Sequence, residues 1–226
     1  MRSTKPLRIS VGERDVSALL VQPPAARWLL VLAHGAGAGM RHPFLEALAG
    51  ALAAEGVATL RYQFPYAEAG SRRPDPRPLL LATVRAAVAA GKECAGGLPL
   101  LAGGKSMGGR MTSLAASEAP LALVRGIVFV GFPLHPAGRP GTERADHLSA
   151  VSVPLLFLQG TRDALAPPAL LRPVCAALGP RATLVELEGA DHGFRVTAAH
   201  GGARRDVHGE LARAVGAFAE RVAPTP

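Results

Sequence analysis

Apolar runs of strand length alternate with longer amphipathic stretches along most of this chain. Trp28 to Ala33, Val57 to Tyr62, Leu98 to Ala102, Gly126 to Val130, Val153 to Leu158 and Ala182 to Leu187 are dominated by apolar residues. Runs this short and continuous read as strands buried on both faces. Helical periodicity fills the intervals. Pro78 to Ala90 places Leu80, Val84, Ala87 and Val88 on one face, and Asp206 to Val222 repeats Val207, Leu211, Val215, Phe218 and Val222 at helical spacing. Further helices are predicted over Pro43 to Glu55, with proline at its start and Gly56 past its end, over Met111 to Glu118 and over Pro167 to Leu178. Leu7 to Val11 and Val16 to Val21 add two opening antiparallel strands. Strands alternating with helices at this rhythm predict an α/β fold, a mainly parallel sheet covered by helices on both faces. With no repeat, linker or low-complexity tract, residues 1–226 read as one domain.

Composition narrows the class. At 226 residues, 49% hydrophobic and 19% charged, the chain can bury one substantial core and is excluded from the disordered class. Its longest apolar runs are too short to cross a bilayer, so no membrane role is expected. Lys and Arg outnumber Asp and Glu by 25 to 17, and the charge of +8 raises nucleic acid as a partner. The basic residues are scattered, however, with small groups at Arg72, Arg73 and Arg77 and at Arg204 and Arg205 and no aromatic-interleaved stripe. A solvated basic surface is the simpler reading, ahead of nucleic acid and of an anionic substrate steered by Arg72, Arg73 and Arg77. Met1 to Pro6 is basic but precedes no apolar segment, so no secretory leader is expected. Cys94 and Cys175 show no metal-ligand spacing and read as free thiols in a reducing cytoplasm.

The chemistry is concentrated in Gly104-Lys105-Ser106-Met107-Gly108, which stands between an apolar run and a helix pattern. A G-x-S-x-G in that setting reads as a nucleophile elbow. The turn is so sharp that residues two before and two after the serine press on neighbouring backbone. Gly104 and Gly108 avoid the clash a Cβ would make, with Gly103 and Gly109 as further slack. Alone, the pentapeptide describes a solvated glycine-rich loop equally well. A serine hydroxyl attacks only when a base takes its proton and a third group orients that base. Asp163 follows the run ending at Leu158, and His192 follows the run ending at Leu187. In a parallel sheet such loops share the carboxyl edge, so the three residues can meet.

A fourth element, His34-Gly35-Ala36-Gly37-Ala38-Gly39, closes the run Trp28 to Ala33. Acyl transfer builds negative charge on the carbonyl oxygen, which two pre-placed backbone N–H groups stabilise. Met107 and Ala36 are the predicted donors of this oxyanion hole. A phosphate cradle is the competing reading, but the loop lacks the Gly-Lys-Ser/Thr ending and its glycine spacing does not fit G-x-G-x-x-G.

Ser, Asp and His in this order, with the early glycine-rich loop, resemble the α/β-hydrolase superfamily over nearly the whole chain. Gly103 to Arg110, with Gly-Thr-Arg-Asp and Asp-His-Gly-Phe downstream, is similar to the small dienelactone-hydrolase-like branch. The same branch resembles the hydrolase-like domain of a subunit of the non-specific lethal chromatin complex. Dienelactone hydrolases carry a cysteine nucleophile where this chain has Ser106, so their substrate is not carried over. The expectation is a lidless serine hydrolase, carboxylesterase-like, acting on small esters through an acyl-enzyme without metal or organic cofactor. Its triad is Ser106, His192 and Asp163. The alternative is a non-catalytic binding or scaffold protein on the same fold.

Other residues around this centre have two readings. Tyr62, Phe64 and Tyr66, just past a strand, either wall a substrate pocket or pin their loop to the core. Gly131 to Ser152, where relatives often insert a lid, is too short for several helices, which predicts an open, shallow pocket with Phe132, Leu134 and His135 as candidate lining. Asp191 is read as a loop stabiliser, His34 as the organiser of its loop, and His42, His147, His200 and His208 as surface residues. Lys105 either places a cation near the site or snorkels along the sheet edge.

Overall fold

The computed structural model describes residues 3–197, 200 and 205–223. Eight strands, β1 (Ser3–Val11), β2 (Arg14–Gln22), β3 (Trp28–Ala33), β4 (Val57–Tyr62), β5 (Leu100–Lys105), β6 (Val124–Val130), β7 (Leu155–Gly160) and β8 (Ala182–Leu187), form one sheet in the order β1-β2-β4-β3-β5-β6-β7-β8. β1 pairs antiparallel with β2, and β2 antiparallel with β4; every later pairing is parallel.

Every residue of β3, β4 and β7 is buried, and strands covered on both faces have no polar face to show as alternation. Successive side chains of β3 still serve opposite layers. Trp28, Leu30 and Leu32 face the layer of α1 (Pro43–Ala54) and α6 (Val207–Arg221), while Leu29, Val31 and Ala33 face the layer of α3 (Arg77–Cys94), α4 (Met107–Glu118) and α5 (Pro168–Leu178). Two helices depart from the sequence expectation. α4 starts directly after Ser106 rather than at Met111, because the glycines that read as loop lie inside its first turn. α3 continues past Ala90 because Gly91 is where the helix crosses β3; a Cβ there would lie 2.6 Å from Val31 Cγ2. The single turn α2 (Pro65–Glu68) and the 3-10 helix Glu143–Ala150 are too short to show a periodicity and are additions.

The topology fixes where a site can form. β3 leads outward to β4, and α3 returns the chain past β3 to β5. The carboxyl ends of β3 and β5 therefore flank a topological switch point, the crevice in which open α/β sheets bind ligands. Both the glycine-rich loop and Ser106 emerge there. Between β6 and β7, where a lid would be inserted, the chain carries only the 3-10 helix. Cys94 and Cys175 are free thiols. No helix among the described residues is long and apolar enough to cross a membrane.

Candidate active site

Ser106 has φ 52° and ψ −117°, a backbone conformation that side-chain-bearing residues adopt only under constraint. Holding it costs on the order of 1–3 kcal/mol, so the surroundings must over-determine it. They do: Ser106 N–H donates to Val130 O, and Arg110 N–H donates to Ser106 O. The flanking backbones touch. A Cβ on Gly104 would lie 2.7 Å from Ala33 O, and one on Gly108 2.6 Å from His34 O. Gly103 and Gly109, expected as slack, are just as constrained, with Val128 O at 2.0 Å and Gly104 O at 2.7 Å from the added carbon.

The elbow lifts the serine hydroxyl to His192. His192 Nε2 lies 2.9 Å from Ser106 Oγ, and its Nδ1 lies 2.6 Å from Asp163 Oδ2. Nδ1–H donates to the carboxylate, leaving the Nε2 lone pair to accept from the serine hydroxyl. The Asp163 side chain is fully buried and also accepts from Leu165 N–H and Gln159 Nε2. A buried carboxylate held by three donors stays put. Asp191 lies outside this chain of hydrogen bonds; its Oδ1 accepts Arg195 N–H and shapes the loop.

The glycine-rich loop is held from beneath. His34 is fully buried, its Nε2 accepting Phe64 N–H and its Nδ1 bonding Gly35 O. Burial lowers its pKa to about 4, so the ring is a neutral strut. Arg61, buried on β4, donates to Met40 O, and Gln63 accepts Met40 N–H. The loop so fixed sets Ala36 into the wall of a cavity of about 530 Å³ that also contains Ser106 and His192. Its remaining wall includes Ala38, Phe44, Leu45 and Leu165, with His42, Lys105 and Arg195 as polar members. Met107 opens α4, and the N–H groups of a first helical turn have no partner within their own helix.

Residues 26–220 match the family described as alpha/beta hydrolase domain. The chain belongs to this family. Solved structures repeat the fold of the hydrolase domain at low identity. A dienelactone hydrolase from Anabaena variabilis is 22% identical with a TM-score of 0.74, covering 97% of this chain and 98% of that one. XC6422 from Xanthomonas campestris, described as an α/β serine hydrolase without lid, is 20% identical with a TM-score of 0.73 over 99% and 97% of the two chains. Est1E from Butyrivibrio proteoclasticus is 18% identical with a TM-score of 0.72 over 96% and 98%.

The wall of the hydrolase domain's cavity differs from the sequence expectation. Tyr62, Phe64, Tyr66, Phe132 and His135 are each at most 3% exposed and none faces the cavity. Phe64 and Tyr66 stack at 6.2 Å and meet His34 edge-on, so this aromatic group pins the loop to the core. Phe132 packs on Phe129 and Phe157, and His135 Nδ1 bonds Pro136 O. Phe44 and Leu45 take their place, because the start of α1 leans over the crevice. Arg72, Arg73 and Arg77 also lie off the cavity, Arg77 being paired with Glu118 at 3.0 Å. Arg205 pairs with Glu210; Arg204 lies outside the described residues. His42 and His200 are exposed, but His147 is half-buried on Ser113 and His208 lies against the Phe44 ring. No group of three or more His, Cys, Asp or Glu among the described residues has the arrangement of a metal site.

Gln159 is the residue that sequence reasoning passed over. Its amide donates to Asp163 and accepts Phe132 N–H, tying the acid to the end of β6. The available signal is a lone polar side chain closing the apolar run Val153 to Leu158. Gln159→Leu removes a hydrogen bond to an ionised group, worth about 1.5–3 kcal/mol. Under the serine-hydrolase reading proposed below, kcat of this variant should fall roughly 10- to 100-fold, measured beside wild type at saturating substrate.

Proposed function

We propose that this chain is a serine hydrolase of small carboxylic esters working through an acyl-enzyme. The observation that carries the proposal is the single imidazole bridging Ser106 Oγ at 2.9 Å and Asp163 Oδ2 at 2.6 Å. His192 Nε2 takes the hydroxyl proton as Oγ attacks the carbonyl carbon, and Asp163 stabilises the imidazolium that forms. The N–H groups of Ala36 and Met107 receive the oxyanion. When the tetrahedral intermediate collapses, Nε2–H protonates the departing alcohol. Water, deprotonated by the same nitrogen, then releases the acid and restores Ser106.

The cavity favours modest acyl groups. Phe44, Leu45 and Leu165 offer apolar wall near Ser106, but the site opens to solvent without a lid. Each buried methylene contributes about 0.8 kcal/mol only while wall remains to receive it. Among p-nitrophenyl esters, kcat/KM should peak at short acyl groups and decline for long ones. A steady rise out to long chains would require a deeper pocket than this one. The direct test of the function is hydrolysis of p-nitrophenyl acetate by wild type and His192→Ala at equal concentration. Wild-type turnover lost in the variant supports the reading, and equal rates contradict it.

A further inference from the structure

Of the two paths its sequence position allows, Lys105 takes the one that places a cation beside the site. It does not reach along the sheet edge to water. Its ammonium turns inward and donates to the main-chain carbonyl of His192, Nζ to O 2.7 Å, and lies 5.4 Å from the centre of the Phe194 ring. The end of β6 closes the third side, where Gly131 turns with φ +73°. A methyl there would lie 3.0 Å from Nζ and 3.6 Å from His192 Cε1, so ammonium and imidazole share one small space. Withdrawing an ammonium from water is unfavourable unless it gains something specific. Here the hydrogen bond goes to the backbone of the very residue whose ring meets Ser106, and Lys105 is the chain neighbour of Ser106.

We propose that Lys105 is a positioning residue of the base: its ammonium fixes the His192 main chain and, as a like charge beside the ring, keeps the resting imidazole neutral and able to accept the Ser106 proton. The inference rests on the serine-hydrolase reading. The His192 loop needs such a tie. Phe194, two residues on, holds φ +61°, and the loop is braced on its far side by the Asp191 contact to Arg195 N–H. Lys105 braces the near side, so one residue pair, 105 and 106, sets the nucleophile and the base backbone together. Charged groups of both signs stand around the ring. Asp163 lies 2.6 Å from Nδ1 and Lys105 beside the ring, Asp191 acts on Lys105, and Arg195 and His42 stand farther along the cavity wall. Burial brings the Lys105 pKa down to about 8, with Asp163 and Asp191 pulling it back up. The charged form therefore still predominates at pH 7.

The test is an NMR titration of the His192 ring in the full chain, with kcat/KM against pH for p-nitrophenyl acetate, in wild type, K105M, K105Q and K105R. Removing a nearby like charge lets an imidazole keep its proton to higher pH. In K105M and K105Q the ring's titration midpoint and the acid limb of kcat/KM should both move up by about one pH unit. At the pH optimum kcat should fall about tenfold, with KM within about twofold. K105R keeps charge and donors and should hold the wild-type midpoint. A lower kcat in all three variants with an unmoved midpoint marks Lys105 as mere packing and overturns the proposal, as does wild-type behaviour of K105M. Should K105M fail to fold, K105Q decides on the same readings. The titration needs no turnover: if wild type hydrolysed no ester but the midpoint still moved, the contact would stand and the hydrolase reading would fall.

Discussion

Ser106→Ala is expected to lower kcat for a p-nitrophenyl ester by about 10⁴-fold or more while leaving the melting temperature nearly unchanged. In the proposed mechanism the loss is large because Ser106, His192 and Asp163 work as one device; with the serine gone, the other two have nothing to activate. Combining Ser106→Ala with His192→Ala should therefore cost little beyond either alone. Fold is spared because the strained backbone at Ser106 is enforced by main-chain bonds to Val130 and Arg110 rather than by its side chain. Asp163→Asn should leave more residual turnover than Ser106→Ala, and Asp191→Asn should leave most of it. Stopped assays at saturating ester with parallel thermal melts read all of these. If Asp191→Asn were the more damaging of the two acid variants, the assignment of the orienting carboxylate would be wrong.

The largest effect on stability is expected at Gly103, away from the reacting atoms. β5 and β6 approach so closely there that an added Cβ would sit 2.0 Å from Val128 O and 2.9 Å from Val128 C and N. Its neighbour is the backbone of a buried central strand, which no rotamer change can move aside. Overpacking against backbone lies at the severe end of the usual range, so Gly103→Ala should destabilise by about 3 kcal/mol or more. In a chain of this length that lowers the melting temperature by roughly 10 °C. Gly138→Ala is the matched control, since Gly138 has positive φ but nothing within 4 Å of the added carbon. It should lose only about 1–2 kcal/mol from the backbone conformation. Denaturant titrations of the two variants with unchanged m-values would give the comparison directly.

The same contact explains what could be read from sequence and what could not. Ser106, Asp163 and His192 each stand just past a strand, and a parallel sheet brings such junctions to one edge whatever the rest of the chain does. Their meeting is encoded in local order. The glycines of the elbow were legible as a sharp turn, but that Gly103 and Gly109 also carry strand and helix contacts depends on β6 and on the return of the backbone at Gly104. Ring direction is harder still. Tyr62, Phe64 and Tyr66 have two equal readings because they stand at or just past a strand's end, and partners elsewhere in the chain decide the outcome: His34 beneath Phe64 and Asp75 on Tyr66 N–H. Phe44 carried no signal, since the opening of an amphipathic helix looks alike whether it leans on a core or over a crevice. Lys105 is the same case in polar form, its reach to His192 O being set by the loop after β8.

The proposed mechanism begins with an activated serine, and a fluorophosphonate probe tests that without any assumption about the natural ester. Folded wild-type protein is incubated with the probe at neutral pH and digested, and the adduct is located by peptide mass spectrometry. The proposed function predicts one covalent adduct, on Ser106, formed rapidly in wild type and absent from His192→Ala, since in that mechanism only Nε2, 2.9 Å away, activates the hydroxyl. Wild-type protein that is folded and stays unlabelled, or that carries the adduct on another serine, would contradict the account.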